Sequence, residues 1–185
     1  LDTGKACAKE IMTKFGQSGY LGITIAKEFG GQGGTLVEAA LFVEALSKHA
    51  AGLALAVASH YSVVESIVKY GSATHKSRYL PLLARGELFG AQAFSEEEAG
   101  SDLSMVSTEA TKSDKEVKLE GCKTWVVNVD LPSLLAVVAK TGASAEGQAA
   151  QFGFFLIQRV PVLGERDQPR SIQLSALKAL RLRVR

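Results

Sequence analysis

The densest chemistry in this chain lies in twelve consecutive residues, Ala91-Gln92-Ala93-Phe94-Ser95-Glu96-Glu97-Glu98-Ala99-Gly100-Ser101-Asp102. An acidic run followed by a small Gly-Ser pair offers backbone N–H groups and a hydroxyl to an anion or a polar ring system. The same composition also makes an ordinary polar loop. A second stretch, Gly121-Cys122-Lys123-Thr124-Trp125-Val126-Val127-Asn128, carries the single Trp of the chain inside a β-rich run. Such a Trp either fills a core or stacks on a flat cofactor. Other chemistries find no residues. His49, His60 and His75 show no ligand spacing with one another or with carboxylates. His60 falls on an apolar helical run, as a satisfied core histidine does. No Ser-His-Asp set, Cys-His set or metal site emerges. Phe29-Gly30-Gly31-Gln32-Gly33-Gly34 is not a GxGxxG after a strand and lacks the Gly-Lys-Ser/Thr of a phosphate loop. It reads as a tight loop between helices.

These residues need elements to position them, and the chain changes character near residue 87. The first part reads as helices. Asp2 or Thr3 can cap a helix running to about Phe15, stopped by Gly16 and Gly19. Thr35 caps a segment with apolar residues at Leu36, Ala40, Val43 and Leu46, a 3.6-residue period. A helix from about Leu53 to Tyr70 is apolar all round in its first half, which places it centrally in a bundle. A short helix around His75–Ala84 carries Pro81 and stops at Gly86. The second part reads as strands near 88–94, 105–112, 115–121, 122–128, 134–140 and 152–158. Turn residues at Lys112–Lys115, Asp130–Pro132 and Gly142–Gly147 separate them. Short, evenly spaced strands predict an antiparallel sandwich or barrel. The fold class is therefore α+β: a helical bundle domain over 1–87 and a β domain over 88–185. Arg181-Leu182-Arg183-Val184-Arg185 alternates like a strand with one charged face, and more polypeptide is expected beyond it.

Composition sets the bounds. The 185 residues are 46% hydrophobic and 22% charged, ordinary for a chain that buries a core. The net charge of +2 argues against nucleic acid. Seven basic groups among residues 159–185 face only Glu165 and Asp167, which suits a solvated strand face. Cys7 and Cys122 are too far apart in sequence for a disulfide framework or metal spacing, and read as buried bystander thiols in a reducing compartment. The longest uninterrupted apolar run, Leu53–Ala58, is far below the ~20 residues of a membrane span. No integral membrane segment is expected.

With these residues in view, the sequence resembles the acyl-CoA dehydrogenase family. Ser95-Glu96-x-x-Ala99-Gly100-Ser101-Asp102 is similar to its first flavin signature, and Lys123-x-Trp125-Val126-x-Asn128 to its second. Gly71 to Glu87 resembles the segment before the first signature, and Glu28-Phe29-Gly30-Gly31-Gln32-Gly33 resembles an N-terminal loop. The four matches run in family order across residues ~20–160, and the family's helical and β domains agree with the division above.

The resemblance implies FAD, an acyl-CoA substrate and α,β-dehydrogenation of the thioester. In that reaction a carboxylate removes the α proton while hydride passes from the β carbon to flavin N5. It further implies an electron-transfer flavoprotein as partner, a homotetramer, and a bacterial cytoplasm or mitochondrial matrix. By matching position, Gln92, Phe94, Ser95, Gly100, Ser101, Trp125 and Val127 would bind the cofactor. Phe94 and Ser95 would meet the pyrimidine edge, Gly100 and Ser101 the pyrophosphate, and Trp125 the ring system. Ser101 would also approach the CoA arm. The catalytic base is unknown and expected beyond Arg185, so residues 1–185 alone are expected to be inactive. The helix matching Leu53–Tyr70 would line the acyl cavity, and its small Ala54, Ala56, Ala58 and Ser59 would leave room for a medium or longer chain. Five positions depart from the pattern. Val127 replaces a Thr or Ser, removing a hydrogen bond of about 0.5–1.5 kcal/mol. Gln92 replaces an aromatic, Glu97-Glu98 a Pro-Gly pair, and Ala26 a Pro. Two alternatives keep the fold: a degenerate non-catalytic subunit, and an acyl-CoA oxidase or flavin monooxygenase.

Overall fold

The computed structural model describes residues 8–113, 116–129, 131–142, 151–159, 172–174 and 177–184. Four helices come first: α1 (Ala8–Gln17), α2 (Leu36–Ser47), α3 (Ala51–Tyr70) and α4 (Ala73–Ala84). Seven strands follow: β1 (Phe89–Ala93), β2 (Glu109–Lys112), β3 (Val117–Val126), β4 (Ser133–Lys140), β5 (Phe152–Arg159), β6 (Ile172–Leu174) and β7 (Leu177–Val184). Cys7 and the expected cap at Asp2 or Thr3 lie outside the described residues, as do the side chains of the arginine-rich end. Helix α2 starts where its sequence says it should. The Thr35 hydroxyl accepts from the Glu38 N–H at 3.3 Å and the Glu38 carboxylate accepts from the Thr35 N–H at 2.7 Å, a reciprocal capping box.

The α+β class holds, and the sheet is sandwich-like rather than a closed barrel. Its path runs β1-β4-β2-β3-β7-β6, with β5 pairing β4 off that path. It is not wholly antiparallel: β1 and β4 pair in parallel, Phe89↔Ser133 to Ala93↔Val137. A parallel neighbour needs a long connection, and alternation within a strand carries no sign of it. The runs at 115–121 and 122–128 form one strand, β3. Gly121 marks close backbone approach rather than a turn, since a Cβ there would stand 2.2 Å from the Thr108 hydroxyl. The continuously apolar β4 is interior, buried from Ser133 to Ala139.

Helix α3 joins the two halves. Its side chains Val63, Val64 and Ile67 pack with Leu80 and Leu83 of α4 and with Leu134 of β4. Val57 and Ala56 pack with Met12, Leu21 and Phe89. A third cluster, including Ala91, Ala93, Val126, Leu135 and Val137, fills the sheet side. Among the described residues β1 pairs only with β4, on one edge, and α3 covers polar groups along the other. The Gly90 N–H donates to His60 Nδ1 at 3.1 Å and the Gln92 N–H to Ser59 Oγ at 3.2 Å. Asn128 Nδ2 donates to the Gly90 carbonyl at 2.9 Å and to the Ala56 carbonyl at 2.8 Å.

One expectation is settled by this packing. His60 is a fully buried, doubly bonded core histidine, its Nε2 3.2 Å from the Leu21 carbonyl. Ala54 and Ala56 are 3% and 7% exposed, and Ser59 caps β1. Their small size serves close helix–strand packing here; Ala58 alone of these four is half-buried. Helix α3 is long and apolar enough to cross a membrane, but most of its apolar window is buried inside the protein.

Candidate functional site

The loop leaving β1 and the middle of β3 are tied into one unit. The Thr124 N–H donates to the Ser95 carbonyl at 2.8 Å. Lys123 Nζ lies 2.7 Å from Glu96 Oε1 and donates to the Phe94 carbonyl at 3.1 Å. Both charged side chains are buried, Lys123 at 0% and Glu96 at 3% exposure. The remaining carboxylate lone pairs are taken up as well. Glu96 Oε2 accepts from the Ser107 N–H at 2.6 Å and from the Ser107 hydroxyl. Oε1 accepts from the Thr108 N–H at 3.0 Å and from the Thr108 hydroxyl. Burial pushes the Glu96 carboxyl up, but the hydrogen bonds from Lys123, Ser107 and Thr108 outweigh it and hold its pKa at about 2. Burial lowers the Lys123 ammonium, and Glu96 opposes that shift. The Glu96 carboxyl is therefore ionised at neutral pH.

Sequence reasoning missed this pair. It assigned Glu96 to an acidic loop and Lys123 to a motif, and the only sign was a lysine within a strand whose neighbours are largely apolar.

Trp125 is exposed by a local irregularity. Between Lys123↔Leu182 and Val126↔Leu180, β3 spends one more residue than β7, which is a β-bulge. Trp125 takes φ 58° there, a left-handed conformation that costs a non-glycine residue roughly 1 kcal/mol. The bulge leaves the indole 51% exposed. The reading of Trp125 as core is thereby excluded.

The other anticipated residues fall at graded positions around this unit. Phe94 and Ser95 adjoin it directly. The Phe94 ring meets Phe154 edge-on at 5.6 Å. Gln92 points at α3, its Nε2 donating to Ser62 Oγ at 2.5 Å. Gly100 and Ser101 are exposed on the loop, and a Cβ on Gly100 would touch nothing within 4 Å. Asp102 caps the following turn, its carboxylate accepting from the Ser104 N–H at 2.9 Å. Val127 is half-buried and packs against the Met12–Leu21–Phe89 cluster, so it faces the interior.

These groups fit a flat aromatic cofactor with a polar rim. The half-exposed indole supplies a stacking surface, and Ser95 supplies polar groups beside it. Thr124 Oγ1, one residue before Trp125 in the chain, is buried without a hydrogen-bond partner among the described residues. Among the described residues no cluster of His, Cys, Asp and Glu could hold a metal. A cleft of about 830 Å³ lies elsewhere, lined by residues including Thr24, Phe29, Gly33, Val68, Ala73 and Leu80; none of the residues above borders it.

Comparison with known proteins bears on the family and the fold. A family model described as "Acyl-CoA dehydrogenase, N-terminal domain" matches residues 1–87, and one described as "Acyl-CoA dehydrogenase, middle domain" matches residues 91–177. A mitochondrial isovaleryl-CoA dehydrogenase of Bos taurus is 36% identical over 74% of this chain and 32% of its own length. A mitochondrial long-chain specific acyl-CoA dehydrogenase of Mus musculus is 34% identical over 82% of this chain and 35% of its own. The chain thus spans about a third of each relative. The crystal structure of an acyl-CoA dehydrogenase complexed with FAD from Bacillus anthracis aligns with TM-score 0.81 at 26% identity, covering 96% of this chain and 30% of that one.

Proposed function

We propose that this chain, which belongs to the acyl-CoA dehydrogenase family, binds FAD across the loop after β1 and strand β3 and serves the α,β-dehydrogenation of an acyl-CoA thioester. The observation that carries the reading is Trp125: the only Trp in the chain is held half-exposed on a strained bulge, directly after the orphaned Thr124 hydroxyl. Ser95 would supply polar contacts at the edge of the ring, Phe94 apolar surface, and Gly100 and Ser101 backbone N–H groups for a phosphate. Ser101 would also stand near the CoA arm. FAD, when bound, accepts the hydride equivalent that leaves the acyl β carbon.

The α proton needs a separate base, and Glu96 is unsuited to it. Its carboxylate is buried, ionised and fully engaged with Lys123, Ser107 and Thr108. A base works best with a pKa near the working pH, far above about 2. The base is therefore assigned to a part of the whole enzyme other than this site. An electron-transfer flavoprotein as acceptor, a tetrameric assembly, and a mitochondrial matrix or bacterial cytoplasmic location complete the proposal. The division near residue 87 separates a helical part from the flavin-bearing β part.

Val127 favours a second reading, a non-catalytic subunit of the same fold, because an inward-packed valine offers no hydrogen bond to a ring. One assay separates the readings. The full natural chain, loaded with FAD, is given acyl-CoAs from short to long under dye-reduction and oxygen-consumption conditions. Dye reduction without oxygen consumption is expected. Oxygen consumption would indicate an oxidase, and no flavin reduction by any acyl-CoA would overturn the catalytic reading.

A further inference from the structure

We infer that Lys123 is a positioning residue: by holding the Phe94 carbonyl it sets the Phe94–Ser95 peptide so that the Ser95 N–H is presented outward, as a fixed donor to an acceptor atom on the bound ring. The inference rests on the flavin reading above. In a planar trans peptide the C=O and N–H point in opposite directions. The Phe94 carbonyl is drawn toward Lys123 Nζ at 3.1 Å, so the Ser95 N–H points away from Lys123. That N–H has no hydrogen-bond partner among the described residues. The β1–β4 ladder stops at Ala93↔Val137, before it would be used. The next peptide is pinned too, because the Ser95 carbonyl accepts from the Thr124 N–H at 2.8 Å. With both carbonyls fixed, Ser95 has only its N–H and its hydroxyl to offer.

Glu96 completes the device. It anchors the ammonium that holds the Phe94 carbonyl, and Ser107 and Thr108 anchor Glu96 in turn. A buried ion pair is a weak source of net stability compared with a well-packed apolar pair. A donor fixed in advance raises ligand affinity by removing the cost of ordering it. Positioning thus accounts for a charged pair where apolar residues would also pack.

The test uses the full natural chain and FAD itself. The double variant Glu96→Gln/Lys123→Met removes both charges at nearly constant volume. Thermal melting of the apoprotein reports the fold, while FAD affinity and the visible circular dichroism of bound flavin report ring placement. Expected is a cooperative melt that shows the fold retained, FAD binding weaker by about tenfold, and an altered flavin dichroism. Unchanged affinity and dichroism would overturn the inference. Should the double variant not fold, residue-resolved hydrogen exchange on the unsubstituted protein decides. The Ser95 amide should exchange faster than Ala93 without FAD and be protected with it; equal exchange with and without FAD overturns the proposal. Failure of the parent to bind FAD would instead overturn the flavin reading, and this inference with it.

Discussion

Lys123 and Trp125 stand two positions apart on β3 and have opposite fates, one fully buried and one half-exposed. The bulge between Lys123 and Val126 makes this possible, since in a regular strand residues two apart share a face. Different consequences follow for substitution. Lys123→Met leaves the Glu96 carboxylate buried without its counter-charge, and we expect a loss of about 3–5 kcal/mol in unfolding free energy by denaturant titration. A loss below 1 kcal/mol would mean that Ser107 and Thr108 suffice to hold the carboxylate. Trp125→Ala removes a half-exposed ring, so apoprotein stability should change by less than about 1 kcal/mol. FAD affinity should fall by up to about tenfold. The reverse pattern, a large stability loss with unchanged FAD affinity, would return Trp125 to the core. None of this is legible at single positions. An ion pair joining residues 27 apart and a bulge depend on partners that local sequence does not name.

Among the elements, α3 does most to position the site, because it packs on β1 and covers that strand's open edge. Its existence and extent were legible: an apolar run and Gly71 place it within two residues of its observed ends. Its role in covering the β1 edge was not, since only the fold brings Ser59 and His60 to Gly90 and Gln92. That role has a pH signature. Burial lowers the His60 pKa from 6.5 to about 4, with the Leu21 carbonyl opposing the shift. The folded state thus favours the neutral ring that accepts from Gly90. Between these values the unfolded chain binds more protons. The stabilisation is therefore complete above pH 6.5, is lost as pH falls toward 4, and amounts to about 3 kcal/mol. Urea unfolding at stepped pH should show this loss in the parent and not in His60→Asn. Glu96, held at about 2, contributes in a separate window: its stabilisation is present above pH 4.5 and lost as pH falls toward 2. A parent profile flat from pH 6.5 to 4 would contradict the assignment for His60.

For the molecule as a whole, the order of helices before strands was legible from a single change in periodicity near residue 87. The parallel pairing of β1 with β4 was not, because a crossover is a long-range property. At the candidate site, motif resemblance singled out Phe94, Ser95 and Trp125, whereas the Glu96–Lys123 pair that ties their loop to β3 required the fold. The engagement of Glu96 has a consequence at this scale. A protein consisting of residues 1–185 alone should show little or no dye reduction with any acyl-CoA, because its described site holds no base with a suitable pKa; turnover comparable to a full-length homologue would contradict this. The most direct test of the central claim, that Trp125 stacks on a flavin, is FAD titration of the full natural chain, freed of flavin, monitored by Trp125 emission and by visible flavin absorbance. If the natural chain carries further Trp residues, replacing them with Phe isolates the Trp125 signal. The account predicts saturable binding of one FAD per chain with strong quenching of Trp125. Saturable flavin binding with unchanged Trp125 emission, or no retained flavin at all, would contradict it.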